Sequence, residues 1–210
     1  VRILAFCDGT GVRLQNRRGG ERIFQYPELQ VLGELLGGRE AILDGEIVIL
    51  EGGKPSFPRV MQRDQCHREQ VLAYLQKAYP VTYCVFDLLF LDGEDLTPRS
   101  LSFRQGLLDG LFPETGSIYI NDNFDSGRAL FELMVERQWE GIVAKEKSGR
   151  YTWGPKKSAG WLKIKFRRRQ ICLVGGISFS KGVPSALLLG AYRDRDFTYI
   201  GKAGSGLSRQ

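Results

Sequence analysis

Histidine and cysteine are scarce in this sequence. It has one histidine, His67, and four cysteines, Cys7, Cys66, Cys84 and Cys172, no two of them closer than 18 positions. With no Cys-x-x-Cys pair and a single histidine, a Cys/His zinc set is excluded. A disulfide-stapled miniprotein is excluded as well, because 210 residues at 42% hydrophobic can bury a full core without staples. Long apolar runs are also missing. Stretches such as 186–189, or 85–91 with Asp87 inside it, fall far short of the roughly 18 residues a membrane helix needs. A reduced, cytoplasmic chain with no membrane partner is therefore expected. Neither an internal repeat nor a low-complexity segment occurs. The sequence opens on Val1 rather than Met, without a signal pattern, and stops at Gln210 shortly after strand-like segments. Both ends predict a piece of a longer protein.

Charge is present but uneven. The formal net charge is +6, yet residues 145–169 alone carry ten lysines and arginines against Glu146, so the rest of the chain is slightly acidic. Such a local concentration points to a polyanion, nucleic acid first and an anionic membrane surface second, or to a merely solvated face.

Periodicity and punctuation give the elements. Asp8-Gly9 between apolar runs predicts a hairpin of residues 1–6 and 11–15. Leu29, Leu32, Leu35 and Leu36 have helical spacing, with Pro27 in the first turn and Gly37-Gly38 as the stop. Strands are expected at 41–50 and 81–91, and helices at 66–79, 103–111 and 126–139, the last with Asp125 or Ser126 as N-cap. Strands at 140–146 and 161–166 flank a loop rich in glycine, serine and lysine. Beyond Arg167-Arg168-Arg169 the texture changes to short strands at 171–179, 186–192 and 197–200 with no helix, which suggests a small β-barrel starting near residue 168. The fold class expected is α+β with mainly antiparallel sheets.

Four of these strands carry groups that could do chemistry. In Trp161-Leu162-Lys163-Ile164-Lys165-Phe166 the alternation puts both lysines on one face and Leu162, Ile164 and Phe166 on the other. Two such cations could clamp a phosphate, or simply be solvated. Asp44 and Glu46 share a face of an otherwise apolar strand, where carboxylates are costly unless exposed, paired or bound to a metal. Glu140 leads a third apolar strand, and Phe86-Asp87 lies inside a fourth, where the ring could stack on a base or fill core. A carboxylate pair, an aromatic platform and a phosphate clamp together would make a nucleotide site.

The ordered set Arg17 in Asn-Arg-Arg-Gly, Leu43-Asp44-Gly45-Glu46, Val85-Phe86-Asp87-Leu88-Leu89, Glu140 to Lys145 and Trp161 to Lys165 resembles the motif series of ATP-dependent DNA ligases. It is most similar to the ligase module of bacterial end-joining ligases. The stretch Ser148-Gly149-Arg150-Tyr151 through Lys157-Ser158 resembles their linker between the last two motifs, and Tyr199 to Gly206 a segment of their OB-fold. The resemblance implies a nucleotidyltransferase (ATP-grasp-like) adenylation domain over residues 1–167, then a partial OB-fold over 168–210. It implies nick sealing in DNA repair and recombination by three steps: attack of a lysine on ATP, transfer of AMP to the 5′-phosphate of a nick, and displacement of AMP by the 3′-hydroxyl. Carried over by position, Glu46 would hold the ribose or assist a magnesium or manganese ion, Glu140 would bind that metal, and Phe86 and Val143 would hold the adenine faces. Lys163 and Lys165 would neutralise the α-phosphate, Arg17 would contact the 5′-phosphate side of the nick, and Arg2 would join the nucleotide site. The implied partner is nicked double-stranded DNA, with a DNA-end-binding protein as a candidate second partner; a monomer, nucleoid-associated when at work, is expected.

One element of the family pattern is missing. No Lys-x-Asp-Gly exists here; the Asp-Gly pairs at 8, 44, 92 and 109 carry Phe6, Ile42, Phe90 and Leu107 where the lysine would stand. Val1-Arg2 aligns with the residues that follow the motif, which places the nucleophile upstream of Val1. The 210 residues are therefore expected not to self-adenylate. Two rival readings remain: an RNA ligase or capping-type nucleotidyltransferase, and a catalytically dead DNA-binding remnant.

Overall fold

The computed structural model describes residues 1–113, 115–153, 160–166 and 169–204. Lys156, Lys157, Ser158, Arg167, Arg168, Ser205 and Gly206 lie outside the described residues. The chain divides into two compact units, Val1–Phe166 and Arg167–Gln210.

The first unit is built on a six-stranded sheet. Strands β1 (Arg2–Asp8) and β2 (Gly11–Asn16) form the expected hairpin, and Asp8 Oδ1 closes its turn by accepting from the backbone N–H groups of Thr10 (2.8 Å) and Gly11 (3.1 Å). A 3₁₀ turn (Pro27–Gln30) and the short α1 (Val31–Leu35) occupy the segment read as one helix. Then come β3 (Ala41–Val48), the small ribbon β4 (Leu50–Glu51) and β5 (Lys54–Pro55), α2 (Phe57–Asp64), α3 (Glu69–Ala78) and the long β6 (Thr82–Leu91). After β7 (Glu94–Asp95), α4 (Leu101–Leu108) starts at Ser100, whose hydroxyl accepts from the Phe103 N–H at 3.3 Å, two residues earlier than its apolar spacing suggests. The sheet order is β2-β1-β3-β6-β7, all neighbours antiparallel, while β8 (Ile118–Ile120) adds to β6 in parallel. Helix α2 was not foreseen. Its apolar residues Phe57, Val60 and Met61 have helical spacing, but the run is short and its buried face is completed by the charged Arg63 and Asp64.

Strand alternation sorts this sheet into a core face and an open face. Ile3, Ala5, Leu43, Ile47, Tyr83 and Val85 are buried with Leu14, Leu29, Leu32 and Val60, while Arg2, Leu4 and Phe6 turn the other way. Gly45 is required by this packing: a Cβ there would lie 2.5 Å from the ring of Tyr83, whose hydroxyl donates to the carbonyls of Ile3 (3.0 Å) and Leu43 (3.1 Å).

A second sheet in the same unit is a ribbon of two antiparallel strands, β9 (Gly141–Lys145) and β10 (Trp161–Lys165), with α5 (Gly127–Glu136) packed on β9. Ser126 caps α5, its hydroxyl accepting from the Ala129 N–H at 3.4 Å. Gly141 is a second demanded glycine, at φ +147° with Ile164 O only 2.1 Å from where a Cβ would be.

The second unit is an antiparallel meander of β11 (Leu173–Ser180), β12 (Val183–Arg193) and β13 (Asp196–Ala203), without a closed barrel among the described residues. Among the described residues no helix is long and apolar enough to cross a membrane.

Candidate nucleotide and phosphate site

The open face of the large sheet and one face of the β9–β10 ribbon meet around Phe86, and nearly every residue singled out by sequence stands on one of these two walls. On the sheet wall, β1 and β3 are in register with Arg2 opposite Glu46 and Leu4 opposite Asp44. Asp44 and Glu46 share the face, as alternation requires, but not the environment. Glu46 is 58% exposed, whereas Asp44 is fully buried and paired. Arg2 donates to both its oxygens, Nε to Oδ1 at 2.9 Å and Nη2 to Oδ2 at 2.5 Å, and the Tyr151 hydroxyl donates to Oδ2 at 2.8 Å. Burial pushes the Asp44 carboxyl above its ordinary range against the pull of Arg2 and Tyr151. Burial alone would lower the Arg2 guanidinium, and the Asp44 carboxylate overrides it, so Arg2 stays charged.

Next along the wall, a β-bulge changes the parity of β6. Asp44 pairs with Asp87 and Gly45 with Val85, so Phe86 is an extra residue with no partner on β3. Simple alternation would send Phe86 and Asp87 to opposite faces; the bulge lets both serve this one. Asp87 is gripped by Arg104 of α4, Nε to Oδ1 at 2.7 Å and Nη2 to Oδ2 at 2.9 Å, with both side chains fully buried. Arg104 was not foreseen, because nothing in the sequence links it to Asp87, 17 positions away. Nor was Tyr151, which reaches Asp44 from the segment after β9.

The ribbon forms the facing wall. Its register pairs Lys145 with Trp161, Val143 with Lys163 and Gly141 with Lys165, which puts these residues on one face. The Lys145–Trp161 end touches the sheet wall. Trp161 meets Phe86 edge-on at 5.8 Å between ring centroids, and Arg2 lies over both rings, 5.5 Å from Phe86 and 5.3 Å from Trp161. Lys145 Nζ sits 4.3 Å from each of the same two centroids. Burial brings this amine down to about 8, with Asp87 and Asp44 opposing the shift and Arg2 and Arg104 adding to it.

At the other end of the ribbon the groups are open to solvent. Lys163 and Val143 are exposed, and Lys165 Nζ donates to Glu140 Oε1 at 2.5 Å, holding that carboxyl below its ordinary range. Arg17 lies in the exposed turn just after β2, at the sheet end where β1 begins with Arg2. Thus Arg2 is brought together with Phe86 and, across the strands, with Glu46, and Lys165 with Glu140, while Arg17 stands in the turn beyond β2.

Among the described residues no group of three or more histidine, cysteine, aspartate or glutamate side chains could by itself hold a metal ion. Single exposed carboxylates such as Glu46 and Glu140 still suit magnesium, which is commonly held by one or two carboxylates together with substrate phosphates and water.

Comparison with known proteins gives this geometry a family. The chain is 31% identical over 214 residues to the multifunctional non-homologous end joining DNA repair protein LigD of Mycobacterium tuberculosis, covering all of this chain and 26% of that protein. It is 31% identical to a DNA ligase of Pyrobaculum calidifontis, over 96% of this chain and 39% of that one. The chain thus spans about a quarter of the length of its curated end-joining relatives. Among solved structures, the mycobacterial DNA ligase D complexed with ATP and MES superposes with a TM-score of 0.67 at 30% identity, over 99% of this chain and 64% of that one. The ligase domain of M. tuberculosis LigD gives 0.64 at 30% identity, over 99% and 65%. The fold class expected from sequence, α+β with mainly antiparallel sheets, is the one these structures have. Residues 1–165 match the model of the ATP dependent DNA ligase domain, and the chain belongs to that family.

Proposed function

We propose that these 210 residues form the nucleotide-binding and phosphate-handling part of an ATP-dependent DNA ligase acting on nicked duplex DNA. The observation that carries this reading is the two-walled cleft: a rigid wall with an aromatic platform at Phe86 faces a ribbon bearing Lys163, Lys165 and Glu140. In it Phe86 stacks on adenine, with Val143 as the apolar contact on the other face, and Glu46 and Arg2 lie towards the ribose. Glu140, helped by Glu46, would hold a magnesium or manganese ion, which would shield phosphate charge. Lys163 and Lys165 neutralise the phosphate that is attacked, and Arg17 takes the 5′-phosphate side of the nick. The first unit is then the adenylation domain and the second the start of an OB-fold. The end-joining names of the mycobacterial relatives support a role in break repair, with a DNA-end-binding protein as partner.

In the final step the 3′-hydroxyl oxygen bonds to the 5′-phosphorus as the phosphoanhydride to AMP breaks. The proton of the hydroxyl goes to solvent and AMP leaves with the electron pair. Negative charge moves across phosphorus, so positioned cations and excluded water supply the rate. Forming the enzyme-AMP bond needs a Lys-x-Asp-Gly, absent from these 210 residues; the final step does not. Incubation with nicked duplex already carrying 5′-AMP should therefore yield sealed strand, while labelled ATP and magnesium should give no stable protein-AMP adduct. No sealing together with no binding to nicked duplex at low salt would overturn the reading.

A further inference from the structure

Among the described residues Lys145 is a cation of the cleft that none of these roles uses. Its Nζ is 4.3 Å from the ring centroids of both Phe86 and Trp161, and its hydrogen bond, to the Phe86 carbonyl oxygen, is long at 3.5 Å. An ammonium has three donors, and here two aromatic faces stand in for most of its water. The acidic groups that face it are already engaged: Asp44 on β3 by Arg2 and Tyr151, Asp87 on β6 by Arg104. Arg2 on β1 and Arg104 on α4 repel it, and burial in the cage disfavours its charge. A cation in this setting is poorly satisfied and gains from any anion that enters.

Lys145 rises from β9, the strand that also carries Val143 two residues away on the same face. The ring face it covers is therefore the one needed by a base held between Phe86 and Val143. We infer that Lys145 is a phosphate-binding lysine that rests on the base platform in the empty cleft, leaves it when a nucleotide enters, and pairs with phosphate oxygens of that nucleotide. The inference rests on the nucleotide reading of the cleft. It gives one side chain opposite effects on the two ends of the ligand: Lys145 competes with the base and attracts the phosphates.

Equilibrium dialysis of the 210-residue chain at pH 7 against labelled adenosine and labelled ATP separates these effects. The probes are compared for the parent, Lys145→Met, which fills the cage without charge, and Lys145→Arg. In the parent, ATP should bind about tenfold or more tighter than adenosine. Lys145→Met should bind adenosine as well or about threefold tighter but ATP about tenfold weaker, so the ratio collapses; Lys145→Arg should restore part of it. A Met variant that loses adenosine and ATP by the same factor, or keeps the parental ratio, overturns the inference and leaves the nucleotide site standing. A parent that binds neither probe overturns the nucleotide reading itself. Should the Met variant not fold, Lys145→Gln makes the same comparison.

Discussion

The two walls of the cleft hold the same kinds of group in opposite ways. On the sheet wall, Asp44 and Asp87 are fully buried, and each is gripped at both oxygens by a guanidinium. On the ribbon wall, Lys165 and Glu140 form a single ion pair with side chains 53% and 79% exposed, and Lys163 is open to solvent. A buried pair is expensive to break and fixes geometry, whereas an exposed one contributes little and exchanges partners readily. The contrast teaches which wall is scaffold and which is free to meet a ligand. Chemistry is expected from the loosely held charges, and order from the tightly held ones.

The contrast can be broken at its strongest point first. Arg104→Met strands the buried Asp87 carboxylate and should cost about 3–5 kcal/mol of unfolding free energy, read by urea denaturation. A loss under about 1 kcal/mol would mean that the sheet wall is no scaffold. Gly141→Ala places a Cβ against Ile164 O and should cost about 2–3 kcal/mol by the same measurement, with amide exchange increasing in β9 and β10. If β9 and β10 stay as protected as before, the tight approach at Gly141 is unimportant.

A pH series sharpens the comparison where the walls touch. Lys145 is brought down to about 8 in the folded chain from an ordinary value of 10.5, so between these two pH values the unfolded state binds more protons. Stability from this group therefore rises with pH through that window. Lys145→Met removes the dependence, and the stability gap between parent and variant should shift in the parent's favour by on the order of 1 kcal/mol from pH 7 to pH 9.5. A gap independent of pH would show that Lys145 titrates as an ordinary surface lysine. The smallest stability effect is expected on the ribbon. Lys165→Met should change unfolding free energy by less than about 0.5 kcal/mol while slowing sealing of a pre-adenylated nick by about a hundredfold. A variant that unfolds easily but seals normally would reverse the assignment of the walls.

Much of this was legible in the sequence because it follows strand period. The Asp8-Gly9 hairpin, the β3 and β6 strands, and the shared face of Lys163 and Lys165 all come from alternation and turn residues. Phe86 shows where alternation stops being informative: one unpaired residue in β6 shifts the face of those that follow until a second, Leu89, shifts it back, and no residue type announces either bulge. The Arg104–Asp87 and Tyr151–Asp44 contacts join positions 17 and 107 apart, so they exist only once the sheet has formed. Helix α2 was hidden for a related reason, since its spaced apolar residues are only Phe57, Val60 and Met61 and its buried face is completed by Arg63, which donates to the Gln25 carbonyl oxygen at 3.0 Å. In the sequence Lys145 is one charge of the basic stretch and the end of the Glu140–Lys145 motif, and only the rings of Phe86 and Trp161 beside it show that it is partly buried.

The segment that follows β9 has a mechanical consequence. Gly149 O accepts from Leu101 N–H at 2.9 Å, Lys147 O accepts from Ser102 N–H at 3.0 Å, and Tyr151 N–H donates to Thr97 O at 3.0 Å, so this segment is stitched to the start of α4. The ribbon is thus tied to the start of α4 at its Lys145–Trp161 end, while α5 packs on β9. Any rotation about that tie moves the platform contacts least and carries Lys163, then Lys165 and Glu140, through the longest arc.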